Sequence, residues 1–488
     1  MSKKIAIIGA GFSSLSAACY LAKAGYEVDV FEKNDTVGGR ARQLKKDGFT
    51  FDIGPTWYWM PDVFEKFFAD FGKKPSDYYT LEKLSPAYQV YFGVNNSITI
   101  ADNPQDIYDT FESIEKGSAK NLKKFLARAE KNYNIAIKNL VYRPGVSPLE
   151  LVTPETIMNV GQFFGSISGR VRKLFKDRRL IQILEFPVLF LGAKPSDTPA
   201  FYSFMNYADF GLGTWYAKGG MYSVVQGMHR LAEELGVRFH TGVNVSKILT
   251  ENGVAKGLRV NDSEHRADIV LSGADYHHSE QLLPPELRTY SENFWKRKTF
   301  APSSLLFYVG FDKPLQNVEH HTLFFDTDFD EHARDIYDKP RWPDRPLFYA
   351  SFPSKTDAST APEGKEAAIF LIPLAPGLSD DHSTRKKYFE IILDRMEKLT
   401  GQSLHEHVLF SESFGVNDFI NDYNSFKGNA YGMANTLLQT AFLRPKLKSP
   451  KTKKLYFTGQ LTVPGPGVPP SLISGQLVSE LITKYEKS

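Results

Sequence analysis

Residues 3–42 read KKIAIIGAGFSSLSAACYLAKAGYEVDVFEKNDTVGGRAR. The apolar run over 3–8 predicts a buried parallel strand. Residues 12–24 predict a helix, with Leu15, Ala18, Cys19 and Ala22 at i, i+3, i+4, i+7 spacing and Gly25 at its end. Residues 26–31 predict a second strand, which completes a β-α-β unit of about 30 residues. The first turn carries Gly9, Gly11 and Ser14 in a Gly-x-Gly-x-x-small pattern. Gly9 allows the tight turn, and Gly11 lets the backbone approach a pyrophosphate at a helix N-terminus. The third position is commonly glycine or alanine; Ser14 departs from that but is small enough for helix–strand packing. Glu32 closes the second strand, placed to accept hydrogen bonds from a ribose diol. A tight turn alone would account for the glycines. The strand before, the helix after and the acid beyond point to a dinucleotide.

Working outward, Val37-Gly-Gly39-Arg40 follows Glu32 and Lys33. The glycine pair lets the chain curl round phosphates that Arg40 can neutralise, whereas arginine as such is ordinarily exposed. Phe51-Asp-Ile-Gly54-Pro55-Thr56 comes next. At the far end, residues 455–475 read LYFTGQLTVPGPGVPPSLISG. A strand delivers Gly459 and Gln460, a Pro/Gly loop follows, and a helix starts beyond Gly467 and Val468, near Pro469-Pro470. Its N-terminus would favour negative charge on a flavin that accepts a hydride; the bland alternative is a proline-rich surface turn. Val245 opens a strand in the middle of the chain, a position whose backbone contacts adenine in flavoproteins. The order of these segments resembles the two-dinucleotide-binding-domain flavoproteins, the group that contains the amine oxidases.

Composition narrows the rest. Lys and Arg number 59 against 56 Asp and Glu, which gives no case for nucleic acid. Cys19 is the single cysteine, so an internal disulfide framework and a cysteine metal cluster are excluded. The apolar run at 5–8 is too short for a secretory leader. No stretch approaches the roughly 18 apolar residues of a membrane span. A cytoplasmic protein, soluble or resting on a membrane surface, is expected.

Further along, helices are predicted at 62–71, 120–140, most of 155–190, 220–235 and 469–486. Strands are predicted near 237–249, at 256–260, 268–273 and 455–458. Residues 300–415 read as alternating strands and loops rich in proline, and 444–454 as a basic loop. Neither a repeat nor a low-complexity tract is present.

The whole chain resembles the bacterial-type carotenoid desaturases, the phytoene desaturase family. The resemblance rests on Gly-Pro-Thr-Trp-Tyr-Trp-Met-Pro (54–61), Lys218-Gly-Gly-Met221, Ala274-Asp-Tyr-His-His278, His320-His-Thr322, Pro353-Ser-Lys-Thr-Asp357, Phe426-Lys-Gly-Asn-Ala430, Thr436-Leu-Leu-Gln439, Phe457-Thr-Gly and Pro464-Gly-Pro-Gly467. Two departures are Ser14 and Gln460, the latter where amine-oxidase-like relatives often carry an acid. The resemblance implies an α/β fold: a Rossmann-like FAD domain (1–85, 215–285 and 440–488), a sheet-rich substrate domain (86–140 and 286–439) and a helical region that touches membrane (141–214). It implies FAD as cofactor, an acyclic C40 carotenoid as substrate, and double bonds introduced by hydride transfer to flavin. Either phytoene desaturation or 3,4-desaturation of a 1'-hydroxycarotenoid fits, with oxygen or a quinone as terminal acceptor. A carotenoid cis–trans isomerase, a flavin amine oxidase and a flavin-free prenyl-binding escort protein are the competing readings.

A carotene offers no polar handle, so shape and apolar contact must recognise it. Trp57, Tyr58, Trp59 and Met60 read as a substrate tunnel, and equally as core packing. His320 and His321 are candidates for that tunnel, although paired histidines also occur as packed residues. No residue stands out as the base, and the flavin itself is the expected catalyst. Arg170, Arg172, Lys173, Lys176, Arg178 and Arg179, followed by the apolar run 180–191, suit an anionic bilayer surface or a solvated helix face over a buried segment.

Overall fold

A computed structural model describes residues 2–158, 161 and 165–486. Its organising element is a five-stranded, all-parallel sheet in the order Leu455–Phe457, Ile269–Ser272, Lys4–Ile8, Glu27–Phe31, Arg238–His240. The expected strand and helix at the N-terminus are present, as Lys4–Ile8 and Phe12–Lys23. The sheet therefore draws on both ends and the middle of the chain. Ile7, Val30 and Leu271 are buried on it, as strands covered on both faces require.

Helix Phe12–Lys23 packs along the C-terminal helix Val468–Glu486. The crossing is close because Gly475 has no side chain. A Cβ there would stand 2.4 Å from the Ser13 carbonyl oxygen and 2.8 Å from the Ala17 nitrogen. Both are backbone atoms, so nothing flexible could yield.

A second sheet has seven strands, in the order Val408–Phe414, Ser303–Phe311, Glu366–Leu374, Phe348–Ser351, His321–Phe324, Tyr88–Gly93, Asn96–Ile100. All pairs are antiparallel except His321–Phe324 with Tyr88–Gly93. Every residue of Ser303–Phe311 is buried, hence its run of apolar side chains without alternation. The segment 300–415 also holds two helices that its prolines and apolar runs did not suggest, Phe329–Tyr337 and His382–Thr400. The longer one is signalled at its ends. The Asp381 carboxylate accepts the Thr384 N–H at 2.7 Å, and Gly401 closes the helix in the left-handed region. Its buried face, Tyr388, Ile392 and Met396, packs on the same cluster as Leu305, Phe307 and Val309 of the sheet.

The strand expected over 237–249 is two strands. Arg238–His240 joins the parallel sheet, and Val245–Glu251 turns away at Gly242 into a three-stranded antiparallel sheet. A helical layer comprises Pro104–Ile114, Ser118–Ile135, Ile167–Leu174, Arg178–Glu185 and Phe204–Phe210. Ser118–Ile135 runs on into a π-turn, Ala136–Leu140. Of the helical reading over 155–190, residues 159, 160 and 162–164 lie outside the described residues.

In the basic cluster at 170–179, ion pairs favour the alternative of a solvated helix face for three of the six residues. Arg172 pairs with Glu185 at 3.0 Å and Asp330 at 3.4 Å, Arg178 with Asp328 at 2.8 Å, and Arg179 with Asp177 at 2.8 Å. Leu180, Ile183, Leu184 and Phe186 of the apolar run are buried. The charges thus solvate a helix face above a segment folded inward. No helix among the described residues is long and apolar enough to cross a membrane.

Because backbone blocks the crossing at Gly475, Gly475→Val is expected to destabilise the protein by about 2–3 kcal/mol. Denaturant unfolding followed by tryptophan fluorescence measures this, with Lys484→Val, at an exposed position of the same helix, as the control.

Candidate functional site

The turn after Lys4–Ile8 is built by Glu32. Its Oε2 accepts the Ala10 N–H at 2.8 Å, and its Oε1 accepts the Asn34 N–H at 2.9 Å and the Asn34 side chain at 2.8 Å. The carboxylate expected to meet a ribose is thus also the brace of the turn. Gly9 takes positive φ (84°), and the Gly38 N–H donates to the Ala10 carbonyl at 2.8 Å, which lays the second glycine pair over the first. Gly11 opens onto a large cavity: a Cβ there would meet nothing within 4 Å. Ser14 is not on the cavity wall. It is buried where the helix meets the end of strand Ile269–Ser272: a Cβ at Gly273, the next residue, would stand 2.0 Å from the Ser14 hydroxyl. Packing, not contact with a bound group, is its role.

The cavity has a volume of about 800 Å³ and a mostly apolar wall. Of the residues singled out in the sequence, Gly9, Gly11, Glu32, Lys33, Gly39, Arg40, Gly54, Pro55, Thr56, Val245, Gly459, Gln460, Gly467 and Val468 all line it, although they come from four distant segments. The Lys33 ammonium donates to the Asn421 carbonyl at 2.6 Å. The Arg40 guanidinium lies 5.0 Å over the Tyr423 ring and donates to the Ser425 hydroxyl at 3.2 Å and the Asn429 carbonyl at 3.3 Å. It forms no ion pair among the described residues, and burial lowers its pKa against the opposing pull of Asp275. Gln460 fits this setting. With its amide oriented to satisfy its neighbours, the side-chain oxygen accepts from Arg40 at 3.2 Å and the nitrogen donates to the Ala430 carbonyl at 3.3 Å.

Trp57, Trp59 and Met60 line the same cavity. Tyr58 does not; successive side chains diverge, and its ring stacks on Phe64 while its hydroxyl meets Tyr79 at 2.8 Å. His320 and His321 also stand off the wall. The His321 ring stacks behind Trp57 at 4.0 Å and 13°, and its Nδ1 meets the Tyr349 hydroxyl at 2.7 Å. Tyr349, which is on the wall, also meets the Thr56 hydroxyl at 2.8 Å. Burial pushes His320 down to about 3, and burial with the neighbouring His320 holds His321 well below the usual imidazole range, so both rings are neutral. The histidine pair therefore backs the aromatic wall and is not a charged group within it.

Sequence reasoning missed Tyr349, Tyr423, Asp275 and His332 as wall residues. Asp275 lies within the quoted stretch 274–278, as the N-cap of helix Tyr276–Gln281, while Tyr349 comes from the second sheet and His332 and Tyr423 from helices Phe329–Tyr337 and Val416–Tyr423. A second polar pair supports the wall from behind: Trp59 Nε1 donates to the Thr214 hydroxyl at 2.9 Å, and the Tyr88 hydroxyl donates to the Asp209 carboxylate at 2.8 Å. Burial raises Asp209 to about 8. The π-turn residues Ala136, Ile137 and Leu140 line the cavity too, in keeping with the habit of such turns to occur at functional sites.

Residues 12–483 match the family model described as flavin-containing amine oxidoreductase. The chain is 41% identical over 483 residues to the carotenoid 3,4-desaturase of Haloarcula japonica, covering 98% of this chain and 97% of that one. It is 34% identical to the zeta-carotene-forming phytoene desaturase of Myxococcus xanthus, covering 99% and 94%. The chain belongs to the flavin-containing amine oxidoreductases, in their carotenoid desaturase branch. This desaturase is an oxidoreductase acting on CH–CH bonds, and its cofactor is FAD. Solved structures share the fold: an oxidoreductase from Methanosarcina mazei at TM-score 0.66 and 20% identity, covering 98% of this chain and all of that one, and putrescine oxidase bound to putrescine at 0.62 and 14%, covering 99% of each.

The desaturase's residues fit the cofactor. Gly11 leaves open space at a helix N-terminus, and Arg40 stands on the wall with no carboxylate paired to it among the described residues. Gly11→Ala puts a Cβ into that open space, with no protein atom within 4 Å of it. The variant is expected to keep its thermal midpoint without FAD and to lose the rise in midpoint that added FAD produces in the wild type. Differential scanning fluorimetry checks both.

A separate outcome follows from Asp209. Its folded pKa lies above the unfolded value, so the folded state holds the extra proton between about pH 4 and pH 8, and stability falls as pH rises through that window. Asp209→Asn is expected to flatten this fall, measured as the change in denaturation midpoint from pH 5 to pH 8.5.

Proposed function

We propose that the desaturase removes two hydrogens from an acyclic carotenoid and that the bond it oxidises is the 3,4 bond near one chain end. The observation that carries this reading is one continuous apolar cavity. It runs from the Gly9–Gly11 turn along Trp57, Trp59, Phe186 and Phe325 to Phe329 and Leu347. An apolar polyene can be held there only by shape. The choice of bond follows the name of the 41%-identical relative; phytoene desaturation, the name of the 34%-identical one, is the second outcome to be tested.

FAD, when bound, supplies the two-electron acceptor. Gly9, Gly11, Glu32, Lys33, Gly39, Arg40, Gly54, Pro55, Thr56, Val245, Gly459, Gln460, Gly467 and Val468 would hold it, with Arg40 and the start of Phe12–Lys23 supplying positive charge for its phosphates. Trp57, Trp59 and Met60 exclude water from the reacting carbons. The hydroxyls of Thr56 and Tyr349, hydrogen-bonded to each other and on to neutral His321, are among the polar groups of the cavity wall and offer a relay for a proton. In this reading the parallel sheet forms the FAD domain and the seven-stranded sheet the substrate domain. The helical region begins at Pro104, since Ser118–Ile135 packs on Phe204–Phe210.

Substrate delivery follows from the rim. Segments 143–150 and 440–443 both line the cavity. They are tied by Lys446, whose ammonium donates to the Gly145 carbonyl at 2.9 Å and the Phe442 carbonyl at 2.8 Å. Val146, Leu149, Val152, Ile157, Leu438 and Leu443 are exposed on or beside these segments. Such a patch around a cavity mouth suits contact with a bilayer.

The test is product analysis with FAD in liposomes that carry phytoene, neurosporene or a 1'-hydroxylated carotenoid. The proposal expects a red-shifted product from the hydroxylated carotenoid; a product from phytoene alone overturns the choice of bond. No red-shifted product from any of them, with FAD bound, overturns the desaturation. Leu149→Glu with Leu438→Glu is expected to cut liposome co-flotation about tenfold or more, for two large apolar side chains lost from the patch, while turnover of detergent-dispersed substrate persists.

A further inference from the structure

Arg444 is one of the largest fully buried side chains in the molecule, and it has no ion-pair partner among the described residues. Its guanidinium donates to the carbonyls of Met433 at 2.9 Å and Gln460 at 3.2 Å and to the Asn435 side-chain oxygen. Its Nε has no acceptor. Among the described residues its acceptors are all neutral, Tyr202 is the one group that favours the charge and the Lys298 ammonium opposes it, an arrangement that costs stability unless another negative charge is served. Burial lowers its pKa to about 10, still far above neutrality, so the charge is permanent.

Its place in the fold shows where that charge acts. A Cβ at Gly465 would stand 3.1 Å from Arg444 Nη2. The cation therefore lies directly beneath the Pro464–Gly467 turn that leads into helix Val468–Glu486. The other face of this turn is cavity wall, through Val463, Pro464, Pro466 and Gly467. The N-terminus of the 19-residue helix adds positive partial charge at the same turn. This second positive centre is distinct from Arg40. Gln460 separates them, meeting Arg40 with its side chain and Arg444 with its carbonyl. FAD has two places for negative charge, the phosphates and the ring system once it is reduced. Arg40 and the first turn suit the phosphates.

We propose that Arg444 is a positioning charge for the redox state of FAD: from beneath the 464–467 turn it stabilises the negative charge that remains when the flavin gains two electrons and one proton. The effect raises the midpoint potential, which favours electron removal from a carbon–carbon bond that carries no activating group. The inference rests on FAD as the cofactor and not on which carotenoid is oxidised.

The experiment uses the full-length, flavin-loaded protein and two readouts that need no carotenoid, so its failure is distinguishable from failure of the substrate reading. One is the midpoint potential by reductive titration. The other is the dissociation constant for sulfite, whose addition also leaves negative charge on the flavin. In Arg444→Gln the potential is expected to fall and sulfite binding to weaken about tenfold or more, while Arg444→Lys keeps both near wild type at pH 7. Equal shifts in the two variants, or weaker FAD binding with potential and sulfite affinity unchanged, would show a merely structural role and overturn the proposal. Should Arg444→Gln not fold, Arg444→Lys decides alone. Loss of the lysine proton on raising the pH should add a break in sulfite affinity that the wild type lacks, and absence of that break overturns the proposal.

Discussion

The site depends on the close crossing of the first and last helices. Phe12–Lys23 starts at Gly11 and Val468–Glu486 starts just beyond Gly467. Backbone meets Gly475 where they cross. This contact sets the loop from Gly459 to Gly467 against the turn from Gly9 to Gly11, although more than 440 residues separate the two along the chain. The parallel pairing of Ile269–Ser272 with both Lys4–Ile8 and Leu455–Phe457 holds the same alignment from the sheet side. Two helix N-termini then open on one cavity. Neither would bind a dinucleotide as well alone, since each supplies only partial charge.

Electrostatics within this cavity divide into charged and neutral parts. Cations line or underlie its phosphate and loop side, at Arg40 and Arg444. The aromatic side is neutral: His320 and His321 are held uncharged by burial, and Trp57 covers His321. Such a division suits an anionic cofactor beside an apolar substrate. It also accounts for a histidine pair that resembles catalytic machinery in the sequence but stands behind the wall. A buried imidazole against an indole face strengthens packing and keeps water out without presenting charge to a polyene.

Local chemistry made much of this legible in advance. Gly9, Gly11 and Glu32 act through backbone and spacing within one β-α-β unit, so the pattern alone locates them. Gly39, Arg40, Gly54 and Gly459 are similar, because each glycine marks a place where backbone must approach something closely. What escaped notice was non-local. Tyr349 reaches the wall only because His321–Phe324 and Phe348–Ser351 pair in register. Helix His382–Thr400 was obscured by its charged face, although Asp381 and Gly401 signalled its ends. The basic cluster at 170–179 could not be read correctly without knowing that Glu185, Asp328 and Asp330 stand opposite it.

By itself, the sequence determined the β-α-β turn and its dinucleotide chemistry, because these follow from short spacings; an apolar substrate was only what the family resemblance implied. Tertiary structure alone decided which aromatics face the cavity, which cations are paired and where the exposed apolar rim lies. The physical reason is that burial and pairing are properties of three-dimensional neighbours. Trp57 and Tyr58 are adjacent in sequence and alike in character, yet the chain turns one to the cavity and the other to the core.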